Sequence, residues 1–427
     1  MLDRQLLRNE PEAVLAGARR KGIDISEVLA KWTETDAEYR RLRHELDEKR
    51  AEMNQVSKTI GMLMGQGKKD EAAEAQAQTK DLKAAIAGGE AREREVEAIL
   101  QELDVQFPNP PHATAADGAN SDENVFVREW GEKPNFDKTP EPHWDVAKRL
   151  GMLDLERGAK ISGSGFILYT GWGARLQRAL FNWMADHQTM RNGYYECYPP
   201  FLVNSASLYG TGQLPKFADD LYKADDDLYL IPTAEVPLTN IYRDEILENG
   251  QLTMKIAGFS GCFRKEAGAA GKDTRGLLRV HQFDKVELVK LSRPEDSYDE
   301  LEALTLDAES VLQALGLHYR VMLVCTGDMS FSNAKQYDLE VWSPGVEKYL
   351  EISSCSNFES FQARRANIRF RRAQGEKPEF VHTLNGSGLA TPRLFSAILE
   401  SFQQPDGSVL LPEVLRSYVG TDRVSAS

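Results

Sequence analysis

Cysteine is scarce: Cys197, Cys262, Cys325 and Cys355 are the four in 427 residues, and none lies within ligand spacing of another. A zinc cluster needs closely spaced Cys or His, so no zinc is expected and the thiols are read as reduced and packed. Equally missing are a GxxxxGK P-loop, a GxGxxG turn between strand and helix, and a GxSxG nucleophile elbow. If the chain handles nucleotide, side chains must hold the phosphates. No apolar run reaches the roughly 18 residues of a membrane helix, and residues 1–15 mix acids and bases without a signal-peptide core. The expectation is a cytoplasmic protein with no membrane partner. There is no excess of positive charge either. The formal net charge is −14, so any contact with RNA must use local basic patches. What remains is ordinary globular composition, 41% hydrophobic and 28% charged, with length for two or three domains.

The most regular stretch is 32–103. Trp32, Tyr39, Leu46, Met53 and Ile60 recur every seven residues, and Leu42, Val56 and Leu63 fill the alternate positions, with Thr35 and Lys49 as polar breaks. Gly65-Gln66-Gly67-Lys68-Lys69 interrupts this seam. A second follows through Leu82, Ile86, Val96, Leu100 and Leu103, weakened at Gly89 and Glu93. Such heptads predict an antiparallel coiled-coil hairpin over about 27–104. A hairpin of this kind is often only a packing or dimerisation element. Its cations, Arg40, Arg41 and Arg43 with Lys68 and Lys69 at the tip, read either as a solvated face or as an RNA grip.

After Phe107-Pro108-Asn109-Pro110-Pro111, residues 112–124 are rich in Ala, Asn, Asp and Gly and read as a linker. The expected division is a domain over 1–108, a linker over 109–124, a second domain over 125–420, and a frayed tail over 421–427. The second domain is mixed and includes a helix over about 172–191, with Leu176, Leu180, Trp183 or Met184, His187 and Met190 on one face. The segment 194–203, broken by Pro199-Pro200, belongs at a sheet edge or interface. Strand-like runs at 228–231, 255–263, 278–291, 319–324, 337–341 and 366–370 are separated by short loops, which favours an antiparallel sheet flanked by helices, an α+β fold.

Four clusters in this domain carry chemistry. In Phe263-Arg264-Lys265-Glu266, Arg264 and Glu266 are two apart and would share one face of a strand: a surface ion pair, or grips for a phosphate and for an amine or metal. Across a long loop, Phe283, Lys285 and Glu287 fall on one face with His281. Glu351-Ile352-Ser353-Ser354 precedes a basic run, and Asn385-Gly386-Ser387-Gly388-Leu389-Ala390-Thr391-Pro392-Arg393 leads into an apolar helix. There the glycines allow either a close ligand approach or only a tight turn. Arginines and carboxylates on strands, with no nucleophile, suit nucleotide chemistry run by positioning and charge.

These stretches resemble the seryl-tRNA synthetases, which are class II enzymes. Residues 263–287 look like motif two, 172–203 like motif one, the dimer element, and 385–400 like motif three. Thr211-Gly212-Gln213-Leu214-Pro215-Lys216-Phe217, Thr233-Ala234-Glu235 and Glu351-Ile352-Ser353-Ser354-Cys355-Ser356-Asn357 match stretches peculiar to the serine enzymes. The resemblance runs from about residue 1 to 420. It implies a tRNA-binding N-terminal arm and a class II catalytic domain that makes seryl-adenylate from L-serine and ATP with Mg2+. The homodimer would pass serine to tRNA(Ser), with tRNA(Sec) as a candidate second acceptor. By the same resemblance Arg264, Glu351 and Arg393 are catalytic. The ATP residues are Arg264, Lys265, Glu266, Val280, Phe283, Glu351, Ile352, Ser353, Ser354 and Arg393, with Glu351 and Ser354 toward Mg2+. Serine would meet Thr233, Ala234, Glu235, Arg264, Glu287, Asn385 and Ser387. Thr391-Pro392 and Ser401 depart from the family pattern. Proline is tolerated in a first helical turn, so Arg393 is still expected to reach the site. Two other readings are a paralogue that loads a small amino acid onto a carrier protein, and a coiled-coil scaffold with a degenerate second domain.

Overall fold

A computed structural model describes every residue except 268–274 and 427. Gly268, Asp273 and Thr274 of the motif-two stretch therefore lie outside the described residues. The chain divides into two compact units, one of 1–19 with 23–108 and one of 20–22 with 109–427.

The first unit is dominated by helices α1 (Ser26–Gly65) and α2 (Lys69–Asp104), which pack against each other along their length. Every α1 seam position named above is buried or half-buried, Thr35 and Lys49 included. Gly89 does not weaken the α2 seam: a Cβ there would lie 2.8 Å from Leu46 Cδ2, so the missing side chain admits Leu46. Glu93, the other suspected weak point, pairs with Arg43 across the hairpin at 3.7 Å. At the tip Gly67 has φ +74°, a conformation that costs glycine little. The base is held by buried carboxylates that find donors, as desolvated charge must. Asp104 accepts from Trp32 Nε1 at 2.8 Å and Arg4 Nε at 2.9 Å. Asp36 sits between Arg8, at 2.6 Å, and Arg40, at 3.0 Å.

The second unit is built on eight strands: β1 (Val125–Trp130), β2 (Tyr195–Cys197), β3 (Met254–Phe263), β4 (Gln282–Ser292), β5 (Tyr319–Leu323), β6 (Lys335–Ser343), β7 (Lys348–Asn357) and β8 (His382–Ala390). Their order is β1-β5-β6-β7-β8-β4-β3-β2, antiparallel throughout except for the β2–β3 pair at the edge. Three helices, α3 (Gly171–Asp186), α4 (Ser297–Leu315) and α5 (Thr391–Ser401), share one hydrophobic core with the sheet, joining Leu176, Leu304 and Phe395 to Val286, Leu288 and Leu339. Alternation along a strand then leaves Phe283, Lys285 and Glu287 on the other face. This is the α+β architecture expected.

Several local expectations are corrected. The Gly-rich run is not a loop: residues 385–390 belong to strand β8. Its glycines face the helical layer, since a Cβ on Gly386 would lie 2.9 Å from Cys355 Sγ and 3.3 Å from Leu304 Cγ. They let a helix approach, not a ligand. Strand β3 stops at Phe263, so Arg264 and Glu266 share no strand face, and Glu266 has φ +53°. The helix at 172–191 ends in a π-helical turn, His187–Arg191, which turns Met190 out to 81% exposure. Residues 109–124 are packed rather than free: Asn109 Nδ2 donates to the Ser332 and Phe358 carbonyls, and Ala115 is buried with Val324 and Met329. The tail does not fray where expected, because Arg423–Val424 pairs with Val409–Leu410 and Val424 is fully buried.

Trp32→Ala removes the largest fully buried side chain of the hairpin base and a donor from Asp104. It should cost about 3–5 kcal/mol, read from urea unfolding followed by helical circular dichroism. A loss below about 1 kcal/mol would show that the base does not hold the hairpin.

Candidate active site

Glu287 is 1% exposed, and the register of its strand decides its company. On β8 it lies opposite Ser387, and on β3 opposite Gly258. Its Oε2 accepts from Thr233 Oγ1 at 3.0 Å and is ion-paired with Lys285 Nζ, which also donates to Thr233 Oγ1 at 2.9 Å. Glu235 stands beside this group. Burial first, and then the Glu287 charge, pushes its carboxyl up to about 7. Gln362 Nε2 donates to Glu235 Oε1 at 2.6 Å, and Gln362 Oε1 in turn accepts from Thr383 Oγ1 at 2.7 Å.

Next to this acidic end lies Arg264. Its backbone N–H donates to the His281 carbonyl at 2.9 Å and its Nε to the Pro232 carbonyl at 3.1 Å. Its guanidinium carbon is 5.1 Å from the Phe283 ring centre, within cation–π range. Glu266 is ion-paired with Arg279. Arg393, in the first turn of α5, donates from Nε to the Leu278 carbonyl at 3.3 Å and from Nη1 to the Glu351 carbonyl, with the Glu351 carboxylate 3.9 Å away. Pro392 and Thr391 do not disturb that turn. Thr391 is buried and accepts from Gln177 Nε2 at 2.5 Å while donating to the Asp284 carbonyl at 3.1 Å.

Glu351 and Ser354 are three apart and would face opposite sides of a regular strand. The β6–β7 register slips between Leu339 and Glu340, a bulge that brings both residues into the cavity wall. Ser353 Oγ donates to the Ser387 carbonyl at 2.7 Å. Asp338, opposite Ser354, has its carboxyl pushed well up by burial and by the Glu351 charge.

One cavity of about 500 Å³ unites these groups, a size suited to a nucleotide-scale ligand. Thr233, Glu235, Arg264, Glu266, Val280, Phe283 and Glu287 line it, as do Glu351, Ile352, Ser353, Ser354, Asn385, Ser387 and Arg393. Two predicted residues do not. Lys265 directs its ammonium toward the Tyr222 ring, 5.9 Å away, and Ala234 is packed against Leu238, Ile256 and Val289. Lys285, Arg279, Asn333 and Gln336 line the cavity without having been singled out as site residues. The period-two spacing of Lys285 and Glu287 could have revealed the first, but nothing in sequence marks Asn333 or Gln336. The basic residues of the arm belong to the first unit. Arg41 and Arg43 are well exposed and contact Glu45 and Glu93, while Lys68 pairs with Glu71 at 3.0 Å. Among the described residues no three His, Cys, Asp or Glu side chains cluster as a metal site.

An arginine just past the end of a sheet strand, carboxylates on an antiparallel sheet and a second arginine at a helix start define a class II aminoacyl-tRNA synthetase core, and residues 216–402 match the family described as tRNA synthetase class II core domain (G, H, P, S and T). Residues 1–111 match the seryl-tRNA synthetase N-terminal domain. The chain is 54% identical over 422 residues to a serine–tRNA ligase of Caldicellulosiruptor saccharolyticus and 52% identical over 425 residues to that of Bacillus subtilis, with 99% of each chain covered in both cases. A solved structure of seryl-tRNA synthetase from Pyrococcus horikoshii complexed with ATP superposes with a TM-score of 0.94 at 36% identity, covering 100% of both chains. The chain belongs to the seryl-tRNA synthetase family.

The raised Glu235 carboxyl has a consequence for stability. Its folded pKa of about 7 lies above the value of an unfolded glutamate, so the folded state holds the proton more tightly. That contribution is complete below about pH 4.5 and is lost as pH rises through about 7, on the order of 3 kcal/mol. Glu235→Gln keeps an acceptor for Gln362 and has no proton to lose. Urea unfolding at pH 5 and pH 8 should show a fall for the wild type that is smaller in the variant, and equal falls would remove Glu235 as its cause.

Proposed function

We propose that this enzyme activates L-serine with ATP and transfers it to tRNA(Ser). The observation that carries the reading is the placement of Arg264 and Arg393 in one cavity with Glu235, Glu287 and Glu351. The serine carboxylate, already ionised, attacks the α-phosphorus in line and releases pyrophosphate, so no general base is needed. Negative charge gathers on phosphate oxygens, and Arg264 and Arg393 are the cations placed to meet it. Phe283 offers a face for adenine. Thr233, Glu235, Glu287 and Ser387 form the polar end suited to serine's ammonium and hydroxyl, where a substrate lacking the hydroxyl leaves buried polar atoms unpaired. The terminal ribose hydroxyl of tRNA then takes the seryl group.

Glu351 and the Ser354 hydroxyl are hard oxygen donors on the cavity wall. They fit Mg2+, which binds through one or two carboxylates with the remaining oxygens from phosphate and water. When bound, the ion neutralises phosphate charge.

A role for the hairpin in gripping tRNA is supported by Arg40, Arg41 and Arg43, exposed on a helix of 40 residues. A homodimer is supported by Tyr195 on edge strand β2 and Tyr198 just after it, 74% and 70% exposed. No described helix is long and apolar enough to cross a membrane.

Arg264→Ala should lower serine-dependent exchange of pyrophosphate into ATP by about 100-fold or more with circular dichroism unchanged, and near-normal exchange would remove Arg264 from this role. Deleting 32–103 should spare that exchange and abolish charging of tRNA(Ser). Undiminished charging would leave the arm a structural element.

A further inference from the structure

Among the buried polar networks that the site described so far leaves without a role, one adjoins the cavity wall. His143 and Glu400 are both fully buried, and their side chains meet at 2.7 Å, His143 Nδ1 to Glu400 Oε1. The same Oε1 accepts from the His143 backbone N–H at 2.9 Å. Oε2 accepts from Ser343 Oγ and from the Gly345 N–H, the latter at 3.0 Å. Four donors thus hold one carboxylate. On the far side of the ring, His143 Nε2 accepts from the Leu277 N–H at 3.0 Å. The two bonds fix the tautomer, because Nε2 must be bare to accept and Nδ1 must carry the hydrogen that the carboxylate receives.

The segment held this way is part of the cavity wall. Leu277 and Leu278 line it, and the Leu278 carbonyl accepts from Arg393 Nε at 3.3 Å. Arg393 and Glu400 are seven residues apart on α5, close to two helical turns, and so share one face. That face grips adjacent residues of one segment twice: directly at the Leu278 C=O through Arg393, and at the Leu277 N–H through Glu400 and His143. Close approach is built in. A Cβ on Gly276, which has φ +63°, would lie 2.4 Å from His143 Nε2, and one on Gly345 would lie 2.9 Å from Glu400 Cδ. A carboxylate taken wholly out of water is costly unless donors surround it, and four surround this one.

We infer that His143, backed by Glu400, is a positioning residue that fixes the 276–278 segment, and with it Arg393, at the nucleotide end of the cavity. The inference rests on the reading of the cavity as an ATP site. The serine end, around Thr233 and Glu287, is held by separate bonds.

Two variants separate the halves of the imidazole. His143→Gln can place an amide oxygen where Nε2 stood and keep the acceptor for Leu277, whereas His143→Asn can keep a donor toward Glu400 and loses that acceptor. In serine-dependent pyrophosphate exchange with the full chain, His143→Asn should raise the KM for ATP about ten-fold, the size expected when a buried N–H loses its acceptor. The KM for serine should change less than two-fold, and His143→Gln should restore most of the loss for ATP. Thermal unfolding of both variants reports the structural cost separately. Equal KM values for ATP in the two variants, or parallel losses for ATP and serine that follow the fall in Tm, would overturn the proposal. Absence of exchange in the wild type would instead overturn the reading of the site.

Discussion

A carboxylate removed from water survives only beside donors, and the cavity of this enzyme is organised around that requirement at Glu287. Thr233 and Lys285 satisfy it from two directions, one from the segment before a short helix and one from its own strand. Lys285 also donates to Thr233, so the three form a closed triangle whose geometry is set by β-sheet register. Slip that register by one residue and Glu287 enters the helical core while Leu288 faces the ligand. The same pairing sets Ser387 opposite Glu287, so one alignment of strands fixes the polar end of the site.

From that end the cavity runs toward groups tied to main-chain carbonyls. Arg264 lies past the end of its strand and is tied to the carbonyls of Pro232 and His281, and Arg393 rests on the Leu278 and Glu351 carbonyls. Each guanidinium retains donors beyond those bonds. A buried acidic end and cations resting on main-chain oxygens fit the proposed reaction, in which a small amino acid is read closely while a triphosphate changes shape and charge.

Two glycine positions show how local signals mislead. Asn385-Gly386-Ser387-Gly388 has the composition of a ligand-cradling loop, yet Gly386 yields space to Cys355 and Leu304, while Asn385 and Ser387 line the cavity. Gly89 looked like a defect in a heptad seam and is where Leu46 fits. In both cases the missing side chain serves a neighbour distant in sequence, which periodicity cannot name. The bulge that brings Glu351 and Ser354 to the same wall is of the same kind. So is the burial of Val424 in a stretch that reads as a free end.

What the chain's own order of residues determined is therefore definite. Seven-residue spacing demands a long helical hairpin and period-two runs demand an antiparallel sheet, local properties both, since a side chain's face follows from its position in a helix or strand. The site residues came from the resemblance of the motif stretches to a family, and fourteen of them line one cavity. Tertiary structure alone decided which strands became neighbours, where a bulge re-aimed a carboxylate, that Lys285 neutralises Glu287, and that His143 reaches Glu400 across 257 residues. Those outcomes depend on packing and desolvation between segments far apart in the chain, where the energy of each group is set by neighbours its own sequence context does not contain.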